Sequence, residues 1–326
     1  MSASRRQLLG ALIVLTAAAC FGTLGPLSRL SFERGMEPIG FVAWRSGVGA
    51  LLIGALVAVS VRRGLDLAPL RSLSREARLA VTTAALAGIV LNLAIFIAFD
   101  RITVALALLG FYTFPIWVTI ASGVLHGERL DRPRIAALLL AISGIALVLL
   151  AQLGPGATLR FDALGFALAL TAAVSQTVYI LSVRTAFKSL PTEQLTALVL
   201  SSAAIAYLAI ALATGGLASV LLPFSVPDLW PLVLLAGLVG AAVPTLLFLV
   251  GIRWIGGIRT AILAMFEPVV GVVLAALLLS EGIGPLQLLG GAIVLIAGAV
   301  LQASRDDPER APGAGPDAVA RLPAPG

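Results

Sequence analysis

Cysteine, histidine and lysine each occur once in 326 residues, as Cys20, His126 and Lys188, and charged side chains make up only 12% of the chain. A lone cysteine excludes a disulfide within the chain and a thiolate metal site. With one histidine, no HExxH, no nucleophile elbow and no phosphate-binding P-loop, hydrolysis by metal, triad or nucleotide has no candidate residues. An enzyme is therefore not expected, nor a bound metal or organic cofactor. Charge is scarce in a way that excludes something larger: a soluble domain carries about a quarter charged residues, so water is not the solvent for most of this chain.

What fills the sequence instead is apolar, with 60% hydrophobic residues and a mean hydropathy of +1.07. A helix crossing the hydrocarbon core needs roughly 20 apolar residues. Ten such segments can be placed, at about 8–28, 38–60, 79–99, 102–125, 134–152, 162–182, 193–214, 229–250, 258–280 and 286–303. The tail at 304–326, rich in Pro, Ala and Gly, lacks the large apolar residues a core needs and is expected to be disordered. The fold class predicted is an all-α membrane protein.

Basic residues fix a predicted orientation, because Lys and Arg are retained on the cytoplasmic side of short loops. With the amino terminus inside, 17 of the 22 basic residues fall on inner segments, four (Arg29, Arg34, Arg101 and Arg160) on outer ones, and Arg45 within the second span. Both termini are then cytoplasmic, and the net charge of +6 reads as topology bias and contact with anionic lipid rather than nucleic-acid binding. The start of the chain has a rival reading. Arg5-Arg6 resembles a twin-arginine signal and Ala17-Ala18-Ala19-Cys20 a lipoprotein processing site. The apolar run continues past Cys20 to Leu30, however, so retention of the segment is expected, with Cys20 a small core residue.

The chain also repeats itself. Pro115 opens a run of small and branched residues that ends thirteen positions later at Glu128, and Pro268 opens another that ends thirteen positions later at Glu281. Duplicated blocks of membrane helices are the usual architecture of secondary transporters. Five spans per copy is an odd number, so the second copy enters the membrane from the opposite side. The repeat is expected to be inverted, with a shared midplane cavity that opens to either side by rocking.

Tyr112-Thr113-Phe114-Pro115 leading to Gly127-Glu128-Arg129-Leu130, and Phe266-Glu267-Pro268-Val269-Val270 leading to Ser280-Glu281-Gly282 and Gln287-Leu288-Leu289-Gly290, resemble the paired EamA domains of the drug/metabolite transporter superfamily. The resemblance spans residues from about 8 to 303. It implies two five-helix EamA-like repeats, at 1–152 and 153–303, in a ten-helix carrier of the bacterial inner membrane. It also implies a cavity lined by spans one, three and four of the first half and six, eight and nine of the second. In one place the halves differ: Ser175-Gln176-Thr177 of the sixth span stands against Phe21-Gly22-Thr23 of the first.

Glu128 and Glu281 do not form a pair, because the predicted topology puts them at opposite faces. Each precedes a helix marked by Pro133 or Pro285, where a carboxylate is favoured by exposed N–H groups and the helix dipole. Pro115 and Pro268 join them as structural or gating residues. Glu267 is different: it lies about 12 Å into the ninth span from Arg259. A carboxylate at that depth costs on the order of 2.5–3.5 kcal/mol, so it must face a wet cavity, find a partner or stay protonated. It is either a coupling site or a neutral acid tying helices together. Arg45, about 10 Å from Pro38, either snorkels outward or faces the bundle to pair with Glu267 or a substrate carboxylate. Asn92, Tyr112, Thr113, Gln176 and Tyr179 are further polar groups at membrane depth, explained equally by interhelical hydrogen bonds or ligand contact. Trp44 and Phe114, with Phe21, Phe96, Phe111, Trp117, Phe248 and Phe266, are candidate apolar walls.

The reading reached is a secondary transporter working by alternating access, as a monomer or homodimer among membrane lipids. By resemblance it exports amino acids or related amphipathic metabolites, driven by the substrate's own gradient or by exchange with protons. Uptake of a metabolite is the alternative within the class, and a membrane structural or signalling module the alternative outside it.

Overall fold

Every regular element among the described residues is a helix, as a chain in hydrocarbon requires: helices satisfy each backbone polar group within one segment. The computed structural model describes residues 3–126, 131–151, 162–279 and 284–303. They form fifteen α-helices: α1 (Ala3–Phe21), α2 (Leu24–Glu33), α3 (Pro38–Arg62), α4 (Arg75–Arg101), α5 (Val104–Phe111), α6 (Phe114–His126), α7 (Arg132–Ala151), α8 (Ala163–Ala186), α9 (Thr192–Thr214), α10 (Leu217–Ser225), α11 (Leu229–Gly237), α12 (Val243–Ile255), α13 (Gly257–Ala264), α14 (Glu267–Leu279) and α15 (Pro285–Ala303). A π-helical turn, Leu238–Ala242, joins α11 to α12.

Among the described residues, eight helical segments are long and apolar enough to cross a membrane. The two remaining predicted spans correspond to the pair α13 and α14, separated at Met265–Phe266, and to the shorter α15. Ten hydrophobic runs thus do not give ten unbroken helices. The bundle turns many large apolar side chains outward: Leu51 is 75% exposed, Val124 78% and Ile205 70%. In water such a surface would be a liability; against lipid it is the required solvent-facing side.

Local chemistry sets the ends. Pro38 begins α3 where its missing N–H costs nothing, and Ser74 caps α4 by accepting from the Ala77 N–H. The link between α12 and α13 is Gly256 alone, at φ +83, a left-handed conformation that a side chain would strain. Glu128 and Glu281, the proposed caps, lie outside the described residues.

Four helix pairs dominate the packing: α4 with α8, α7 with α15, α3 with α9, and α1 with α12. The α7–α15 seam depends on glycine. A Cβ on Gly144 would stand 2.8 Å from the Gly290 carbonyl oxygen and 2.9 Å from Val294, while one on Gly290 would stand 2.6 Å from the Gly144 carbonyl oxygen and 2.8 Å from Val148. Small residues let the backbones touch, which is how helices associate when lipid removes the hydrophobic drive.

Candidate functional site

Three helix breaks meet in the middle of the bundle, and a proline explains each. Proline has no N–H to give the carbonyl four residues earlier, and its ring crowds that carbonyl. For Pro26, Pro115 and Pro268 those residues are Gly22, Phe111 and Ala264, which are where α1, α5 and α13 give out. Thr23 and Thr113 stabilise two of the breaks by donating to the carbonyls of Cys20, at 2.7 Å, and Gly110, at 2.8 Å. Span six, which has Ser175-Gln176-Thr177 and no comparable proline, runs unbroken as α8.

Gly22, Phe111 and Ala264 all line one cavity of about 490 Å³. Phe21, Phe96, Phe99, Phe114 and Phe248 give it aromatic walls, and Arg45, Asn92, Gln176, Tyr179 and Glu267 give it polar points. Pro268 also borders it. The cavity extends to Arg29, which is exposed and paired with Glu33 at 3.1 Å. At that same end of the bundle Arg101 pairs with Asp162, and this bond holds the exposed Asp162 carboxyl below the usual carboxylate range. The opposite end is cross-tied. Arg184 donates to Ser122 at 3.3 Å, Arg253 to Thr192 at 3.1 Å, and Gln194 both accepts from and donates to the Ala68 backbone, at 2.9 and 2.7 Å. Buried Arg259 reaches the Leu301 carbonyl at 3.4 Å. The cavity is thus continuous toward the Arg29 end and backed by ties at the Arg184 end.

Arg45 does not snorkel. It is 5% exposed and points into the bundle, where its Nε donates to the Gly240 carbonyl at 2.8 Å and its Nη1 to Asn92 Oδ1 at 2.5 Å. Its guanidinium lies 5.6 Å from the Phe96 ring centre, a cation–π distance. The Gly240 carbonyl is available because residue 244 is proline, and Gly240 sits in the π-helical turn. Asn92 is itself oriented by donating to the Gly88 carbonyl at 2.8 Å. Glu267 lies within electrostatic reach of Arg45, but the two make no ion pair within 4.0 Å.

The remaining predicted residues divide. Gln176, Tyr179 and Phe114 border the cavity. Tyr112 is buried behind it, electrostatically near Glu267, with a hydroxyl that has no well-formed hydrogen bond. Thr113 spends its hydroxyl on the helix break, and Pro115 is buried in α6. Trp44 is not a cavity wall: its indole N–H donates to the Val220 carbonyl at 2.7 Å and its ring packs on Phe224 and Trp230. It neighbours Arg45 in sequence, but one residue is about 100° around a helix. Trp117 is 48% exposed on the outer surface, and Phe266 packs against the core.

The cavity also draws on helices beyond those the resemblance implied. Arg45 and Ser46 come from α3, Val199, Leu200 and Ala203 from α9, and Gln287 from α15. Sequence reasoning missed Pro26 and Pro244, although the signal was present as prolines inside apolar runs.

Comparison with known proteins agrees with this architecture. The model of the EamA-like transporter family matches residues 8–150 and again residues 163–302. An "Uncharacterized transporter" of Archaeoglobus fulgidus is 30% identical over 199 residues, covering 61% of this chain and 67% of that protein. A protein solved by crystallography superposes with a TM-score of 0.69 at 21% identity, over 89% of this chain and 95% of its own, and so shares the fold.

Proposed function

The chain belongs to the EamA-like transporter family of the drug/metabolite transporter superfamily and is a multi-pass membrane transporter, and from that premise we propose that it is a secondary carrier exporting amino acids or related amphipathic metabolites by alternating access. The observation that carries the proposal is Glu267, a deep carboxylate at a proline break, facing a 490 Å³ cavity with aromatic walls. Such a cavity suits a small molecule with an apolar body and few polar groups. Among the described residues Glu267 is the one carboxylate on its wall, which makes it the group that would exchange protons against substrate.

In this reading the repeats, 1–152 and 153–303, are inverted. The packing supports it. A two-fold relation exchanging first-half and second-half spans turns the α4–α8 pair into α12–α1 and maps α3–α9 and α7–α15 onto themselves, and those are the four dominant pairs. The reciprocal fit of Gly144 and Gly290 is what an axis through the α7–α15 seam would produce. With both termini in the cytoplasm, as the basic residues argue, the Arg29 end is external and the cavity faces outward. Return to the inward-facing state breaks the ties of Arg184, Arg253 and Arg259 and closes the helices around Arg29.

The test is counterflow. Purified protein in liposomes preloaded with unlabelled amino acids is expected to accumulate the matching labelled one, without ATP and saturably. Flux no greater than in protein-free liposomes across amino acids and related amphipathic metabolites would remove the substrate class.

A further inference from the structure

Arg45 is held in a way that leaves one part of it unused. Nε is fixed by the Gly240 carbonyl, Nη1 by Asn92, and the face of the guanidinium by Phe96. These contacts immobilise the plane of the group. No partner among the described residues takes Nη2, and Arg45 borders the cavity. Nor does Glu267 neutralise it by contact. The arrangement is costly to build. Pro244 denies the Gly240 carbonyl its intrahelical donor, the backbone takes a π-helical turn, and a buried cation is brought in to satisfy that carbonyl. A Cβ on Gly240 would meet Leu24 at 2.4 Å, so the residue that presents the carbonyl is also one that admits no side chain without a shift.

We propose that Arg45 is the carboxylate-recognising residue of the cavity, positioned by Asn92 and by the carbonyl that Pro244 leaves free on Gly240, and that the carrier selects small molecules bearing a carboxylate beside an apolar body. The proposal rests on the carrier reading of this cavity and deepens it. A guanidinium with a fixed plane loses little freedom when it binds an oxygen anion, and a charge-assisted bond in a pocket of low dielectric is among the stronger polar contacts available. Glu267, across the same cavity, balances a cationic group on the same molecule. Phe21, Phe96, Phe111 and Phe248 cover its apolar part.

The test measures binding rather than flux, so it stands apart from the transport assay. Thermal shift titrations of the purified protein compare phenylalanine with phenethylamine, which differ by the carboxylate. Wild type is expected to bind phenylalanine roughly 10- to 100-fold more tightly, as loss of a charged hydrogen-bond partner implies. Asn92→Leu and Pro244→Ala each leave Arg45 in place but remove one of its anchors; both are expected to cut the preference about fivefold or more. Pro244→Ala restores a helical N–H and favours folding, so the test does not depend on the survival of Arg45→Gln, which should abolish the preference. Equal affinity for the two probes, binding of neither by wild type, or a preference unchanged in both anchor variants would overturn the assignment. Carboxylate-selective binding without counterflow would leave Arg45 as assigned and strike only the carrier reading.

Discussion

Placing a methyl group on either glycine of the α7–α15 seam tests the packing on which the two halves depend. In Gly144→Ala the new Cβ meets the Gly290 carbonyl oxygen at 2.8 Å and the Val294 nitrogen at 3.0 Å. Ordinary van der Waals contact begins near 3.4 Å. Both obstacles are backbone, so no side chain can swing aside and the helices must separate by roughly 0.5 Å, a gap that forfeits about a quarter of the dispersion well at each contact. Overpacking of this kind costs about 1–3 kcal/mol, which for a protein of this size lowers the apparent Tm by roughly 2–10 °C. Gly290→Ala is expected to do the same, because its Cβ meets the Gly144 carbonyl oxygen and the Val148 nitrogen, at 2.6 and 2.9 Å. The informative variant is the double. Once one methyl has parted the helices, the second enters space already opened, so the double mutant should fall short of additivity by about 0.5 kcal/mol or more. Unfolding in bicelles, followed for all four proteins, measures the cycle. Neutral single variants or strict additivity would refute the shared-seam argument.

Three further outcomes are expected. Reporter fusions after Ala303 and in the 214–228 connection that holds α10 should report cytoplasmic and external locations respectively; the reverse pattern would overturn the cytoplasmic termini, and a same-side pattern would sink the span count on which the inverted repeat rests. Glu267→Gln should insert, fold and retain some exchange while losing any acceleration of net flux by an imposed pH gradient; wild-type flux that ignores the gradient would remove the proton-coupling role. Asp162→Asn should lower the apparent Tm at pH 7, with the difference vanishing in acid. The Asp162 carboxyl is held down by Arg101 in the folded protein, so its contribution is fully present above the unfolded carboxylate value of about 3.9 and is lost as pH falls through the lower folded one. A Tm gap that persists below that range would assign the effect to the cap of α8, where Asp162 accepts from the Leu164 N–H at 3.3 Å, rather than to the ion pair.

The sequence by itself determined the solvent, the repeat and the family, because each is written in local or additive properties. Scarce charge and long apolar runs demand lipid, whatever the tertiary fold. The prolines are equally local: a missing N–H breaks a helix one turn upstream, so Pro26, Pro115 and Pro268 carried the signal for the ends of α1, α5 and α13, although the apolar runs there read as unbroken spans. What the sequence could not supply was rotation. In a soluble helix apolar periodicity reveals the inner face, but lipid tails are as apolar as leucine, and a membrane helix has no such stripe to read. Arg45 and Trp44 adjoin in α3, yet only tertiary structure turned the first onto the Gly240 carbonyl and the second onto Val220. The same holds for the distance between Arg45 and Glu267 and for the recruitment of α3, α9 and α15 to the cavity wall. Those outcomes depend on which backbones can approach most closely, at contacts such as Gly144 against Gly290, and that is decided by all the helices together.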